Sequence, residues 1–139
     1  MAIEINGRIR EAMLAQMQSS YPAEACGLIV GHWQDDRAIG DSYHPCANQR
    51  QVNRERRFLI DPLDYQALED QADVQGQSIV SIVHSHPDHP DQPSEFDRQH
   101  AWPGLSYIII AVQRGRIAGY RSWRLREDRS GFDQEPITE

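Results

Sequence analysis

Two histidines, His84 and His86, close an apolar run, Ser78-Ile79-Val80-Ser81-Ile82-Val83, that reads as a β-strand. Alternate residues of a strand leave the same face, so both imidazoles can converge on one ion. Ten residues intervene before Asp97, which falls in the first turn of a helix opened by Ser94 as N-cap. The loop between can fold that helix back against the strand and add a carboxylate oxygen. Two imidazoles and one carboxylate are three protein ligands, the pattern of a catalytic zinc site with a fourth position for water; structural sites are more often closed by cysteines. Zinc brings the pKa of a bound water from about 15.7 to about 7, so hydroxide becomes available at neutral pH. The same donor types also form the facial triad of iron-dependent oxygenases. That triad reads His-x-Asp/Glu with a distant histidine, an order this chain lacks.

The string is longer than three ligands. His84-Ser85-His86-Pro87, six residues, then Ser94-Glu95-Phe96-Asp97 resembles the signature of the JAMM (MPN/Mov34) metalloproteases, a glutamate upstream followed by H-[ST]-H-P-x6-S-x-x-D, at every position. The resemblance assigns zinc binding to His84, His86 and Asp97. It makes Ser94 a donor to the oxyanion of the tetrahedral intermediate. Glu24, in Pro22-Ala23-Glu24-Ala25-Cys26-Gly27-Leu28, takes the place of the family's general base, which accepts a proton from water and returns one to the leaving amine. Ser94 also has a purely structural reading, because an N-cap serine stabilises a helix by about 1 kcal/mol. His89 and His100 are further imidazoles near the site that belong to no motif and read either as surface residues or as residues packed around the ligands. Phe58-Leu59-Ile60-Asp61-Pro62 also looks like the family's strand-to-helix step.

The chain resembles the short, stand-alone prokaryotic members of that family. For these the resemblance implies hydrolysis after the C-terminal Gly-Gly of a ubiquitin-like sulfur-carrier protein, by trimming a tail or releasing a carrier-bound cysteine. A deubiquitinase-like isopeptidase and a non-catalytic MPN scaffold are the alternatives. Scaffolds of this type characteristically lose ligands, whereas the full set stands here. The related RadC-like branch favours Asn between the histidines, where this chain has Ser85.

The positioning elements follow from periodicity and punctuation. A strand at Ile3 to Ile5 precedes a helix carrying Ile9, Met13, Leu14 and Met17, which ends before Tyr21-Pro22. Ala25 to Gly31 and Ala38 to Tyr43 form a hairpin turned at Gln34-Asp35-Asp36-Arg37. Pro45 to Arg57 reads as a loop holding Arg50, Arg54, Arg56 and Arg57, a candidate contact for an acidic carrier. Phe58 to Ile60 is a brief strand; Asp61 caps and Pro62 opens a helix to about Val74, stopped by Gly76. Leu105 to Val112 and Ile117 to Leu125 make a closing hairpin, and a polar, irregular tail is expected after Arg126. The fold class is α/β, a mixed and mostly antiparallel sheet sandwiched by helices; the resemblance specifies the cytidine-deaminase-like JAMM/MPN fold. The domain spans 1–126 with a tail over 127–139.

Composition agrees with a soluble enzyme. The 139 residues suit one domain, and a formal net charge of -7 argues against a nucleic-acid binder. Neither a signal-peptide pattern nor a bilayer-length apolar run is present, so a cytoplasmic location is expected. Cys26 and Cys46, without CxxC spacing, form no disulfide scaffold.

Overall fold

A computed structural model describes residues 1–47 and 60–139. In chain order the elements are β1 (Ala2–Glu4), α1 (Gly7–Ser20), β2 (Cys26–Gln34), β3 (Arg37–Cys46), α2 (Pro62–Val74), β4 (Ser78–Pro87), α3 (Glu95–His100), β5 (Ser106–Gln113), β6 (Arg116–Leu125), β7 (Phe132–Glu135) and β8 (Ile137–Thr138). The described strands form one sheet in the order β7-β6-β5-β4-β2-β3-β1-β8. It is mixed: β4 pairs parallel to β5 and β1 parallel to β3 and β8, while the other neighbours are antiparallel.

Local chemistry sets the helix ends, at Asp61-Pro62 and Gly76 as anticipated and at Asn6 besides. Asn6 accepts from the Ile9 N–H at 2.9 Å and Asp61 from the Leu63 N–H at 2.8 Å, with Pro62 in the first helical turn. Gly76, at φ +71°, supplies the left-handed residue that stops α2.

Each sheet face has its own core. Ile9, Met13 and Met17 of α1 pack with Ile3, Ile29, Val83, Ile108 and Ile110. Ala72 of α2, with Tyr65 and Leu68 at its margin, packs with Leu28, Val30, Ile82 and Tyr107. Each fully buried Ile or Met contributes about 1.5–3 kcal/mol.

One irregularity decides which face carries the histidines. Ile29 pairs with Ser81 but Val30 with Ile79, so Val80 is an extra residue on β4. This β-bulge flips the alternation: Ile79 and Ile82, three apart, share the α2 face, whereas Val80 and Val83 share the α1 face. Continuing from Ile82, His84 and His86 emerge on the α2 side. Without the extra residue they would enter the α1 core.

The chain beyond Arg126 corrects the expectation of an irregular tail. β7 pairs with β6 at one edge of the sheet and β8 with β1 at the other, with Pro136 alone between them. The sheet therefore curls until its edges meet, and backbone bonds from Ile3 N–H to Pro136 O (3.0 Å) and Ile5 N–H to Thr138 O (2.9 Å) hold the seam. Inside it, Arg124 pairs with Glu135 at 2.9 Å and lies over Trp33.

β4 carries the histidines in its last residues, as expected, and ends at Pro87, whereas β3 runs on to Cys46, past the expected strand end at Tyr43 and into the expected loop. The arginine-bearing segment and the strand at Phe58-Leu59 lie outside the described residues; Ile60 belongs to no element.

Candidate metal centre

His84 and His86 stand side by side, ring centroids 5.0 Å apart, at the end of β4 and almost fully buried. The His84 ring lies between two carboxylates, its Nδ1 3.6 Å from Glu24 Oε1 and its Nε2 3.6 Å from Asp97 Oδ1. His86 Nε2 lies 3.1 Å from Asp97 Oδ2. One ligand atom each from Glu24, His84 and His86 also falls within a 4.8 Å span. Either carboxylate is thus near an imidazole, but of the two Asp97 touches the Nε2 edge of both.

Asp97 is delivered by the start of α3. Ser94 Oγ accepts the Asp97 N–H at 3.1 Å and Asp97 Oδ2 accepts the Ser94 N–H at 2.8 Å, a reciprocal capping box. One carboxylate therefore caps its helix and faces the histidines. The Ser94 oxygen is engaged as an acceptor, which leaves its O–H to donate.

The face of His86 is set by backbone. A carbonyl only accepts, so the 2.8 Å contact of His86 Nδ1 with Pro90 O places a proton on Nδ1 and turns Nε2 toward the cluster. Glu24 is held against the histidine strand through its neighbour: Ser85 Oγ accepts the Ala25 N–H at 2.9 Å and the Ser85 N–H reaches Ala25 O at 3.0 Å. The serine between the histidines is a clamp on the glutamate segment.

The electrostatics follow. Burial disfavours the charged His84 imidazolium, yet Asp97 and Glu24 outweigh it and its pKa is raised. Burial pushes the Asp97 carboxyl up, but His84, the His86 hydrogen bond and the Ser94 N–H bring it far below the usual carboxylate range. Buried imidazoles bracketed by anions are a donor set that fits a divalent cation of the zinc type.

All five residues singled out by the motif thus meet in one place: Glu24, His84, His86 and Asp97 in one buried cluster, and Ser94 hydrogen-bonded to Asp97. His89 and His100 are exposed, His100 stacked on Phe96. The sequence reading missed Pro90, which acts through its carbonyl and so has no residue-type signal.

Fold and site define a class, an α/β domain with a buried imidazole–carboxylate cluster where a central strand meets a short helix. Residues 7–126 match the family described as prokaryotic homologs of the JAB domain, and the chain belongs to that JAB1/MPN family. It is 34% identical over 102 residues to a desampylase of Haloferax volcanii, covering 71% of this chain and 69% of that protein. It is 38% identical over 88 residues to the tail tip assembly protein K of Escherichia phage N15, where the match covers 63% of this chain and 32% of the phage protein. Among solved structures, a protein of Desulfitobacterium hafniense shares 29% identity at a TM-score of 0.83, covering 99% of this chain and 91% of that one. A JAB1/MPN domain protein of Archaeoglobus fulgidus shares the fold at TM-score 0.57 and 18% identity, each chain fully covered.

Proposed function

We propose that the chain is a zinc-dependent metallopeptidase that hydrolyses the bond after the C-terminal Gly-Gly of a ubiquitin-like or sulfur-carrier protein. The observation that carries this reading is the convergence of both His84 and His86 Nε2 atoms on Asp97, with Glu24 on the opposite edge of His84. His84, His86 and Asp97 would hold the metal. A bound zinc supplies Lewis acidity to the scissile carbonyl and acidifies water. Glu24, buried and held by the Ser85 clamp, takes the proton of the attacking water and returns it to the leaving amine. Ser94 O–H donates to the carbonyl oxygen as negative charge develops on it. The desampylase relative favours a ubiquitin-like substrate and supports a second form of the reaction, isopeptide cleavage of a conjugate.

The test is Glu24→Gln, assayed on a ubiquitin-like protein extended beyond its Gly-Gly by a peptide tail. Metal content should stay at the wild-type level while turnover is lost. Near-normal turnover would remove Glu24 from the role of base.

A further inference from the structure

Asp88 follows the last residue of β4 and lies two residues past His86, yet its contacts are with distant parts of the chain. Its Oδ2 accepts the Tyr21 O–H at 2.6 Å, across 67 residues, and its Oδ1 accepts the Arg114 N–H at 2.9 Å. Its own N–H reaches Val112 O at 2.7 Å, extending the β4–β5 ladder by one rung. The residue is held at φ +58°, a left-handed conformation costly for a side chain other than glycine. A glycine would relieve the backbone but would offer neither oxygen.

Tyr21 caps the end of α1, and Glu24 follows three residues later through a turn in which the Ala23 N–H bonds Ser20 O at 2.9 Å. The Ala25 N–H is then caught by Ser85. The segment bearing Glu24 is therefore pinned to β4 on both sides, by Ser85 after the glutamate and by Asp88 through Tyr21 before it. Along the strand one pin stands at Ser85, between the histidines, and the other at Asp88, two residues past His86. We propose that Asp88 is a positioning residue: its carboxylate, bridging Tyr21 and the β5–β6 turn, sets where the Glu24 segment stands relative to the histidine strand. The proposal rests on the reading of Glu24 as the proton acceptor.

Asp88→Gly and Tyr21→Phe separate the tether from the turn. Glycine keeps the left-handed backbone and removes both acceptors; phenylalanine removes one O–H and leaves Asp88 in place. If Asp88 serves only its turn, Asp88→Gly behaves as wild type. With the tether, amide exchange at Ala23 and Ala25 rises about tenfold in Asp88→Gly while β5 amides keep their protection. On the carrier with a Gly-Gly tail extension, kcat falls about tenfold and KM stays within about twofold, because a small misplacement of a reacting group acts on turnover. Tyr21→Phe moves both readouts the same way and adds nothing in the Asp88→Gly background. Unchanged exchange at Ala23 and Ala25, or additive effects of the two substitutions, overturns the proposal. Retained turnover in Glu24→Gln would instead overturn the reading of the base, and the exchange result would still decide the tether.

Discussion

Glu135→Gln removes the anion from a pair that is taken out of water on both sides: the Glu135 side chain is 0% exposed and that of Arg124 10%, with 2.9 Å between Oε1 and Nε. Deleting one member of a buried pair costs about 3–5 kcal/mol, because the remaining charge stays buried without its counter-ion. Arg124 keeps Ser106 Oγ at 3.2 Å, the carbonyls of Ala2 and Asp36 at 3.3 and 2.9 Å, and the face of Trp33. These partners place the loss at the lower end, about 3 kcal/mol. Against a total stability of roughly 5–15 kcal/mol this is a large fraction, and Tm should fall by about 10 °C. Urea unfolding should show a lower midpoint with an unchanged m value. Bound metal should be unaffected, since the pair lies at the sheet seam and outside the histidine cluster. Replacing both partners, Arg124→Met with Glu135→Leu, should restore most of the loss. A Glu135→Gln protein within about 0.5 kcal/mol of wild type would refute the view that β7 closes the sheet through a desolvated ion pair.

Ser94→Ala should lower stability by about 1 kcal/mol through loss of the cap, and turnover by about 10²- to 10³-fold if the hydroxyl also serves the developing oxyanion; a loss confined to thermal unfolding would leave it a cap only. Burial, then Cys46 and Glu24, push the Cys26 thiol up to about 12, and burial with Asp64 raises Cys46 to about 11. Raised values favour the neutral thiol, so at pH 8 only about one Cys46 in a thousand is the reactive thiolate. Iodoacetamide should therefore leave the folded protein unlabelled at pH 8, label it faster as pH rises, and modify both thiols in urea; rapid labelling at pH 8 without denaturant would contradict this environment.

Much of the site was legible because its parts are local. A strand, a loop and a helix start follow one another within His84 to Asp97, and Ser94 caps the turn that delivers Asp97. Helix ends were equally legible at Asp61-Pro62 and Gly76, where single residues carry the stop or start. What escaped was long-range. The bulge at Val80 depends on how β2 pairs with β4 and leaves no mark in an apolar run. The strands after Arg126 are polar on their own; Glu135 is buried against Ser122 and Arg124, the latter eleven residues earlier in number but on the neighbouring strand. Cys26 and Cys46, unconnected in sequence spacing, are direct cross-strand partners. Asp88 belongs to the same group, since its partners lie 67 and 26 residues away.

The central claim, that His84, His86 and Asp97 hold a catalytic zinc, is tested most directly by the metal content of the purified protein, measured together with cleavage of the Gly-Gly-tailed carrier before and after chelation. The account predicts about one zinc per chain, cleavage after the glycines, its loss on chelation and its return when zinc is restored. Cleavage that survives complete removal of metal, or a protein that carries iron or no metal as purified, would contradict it.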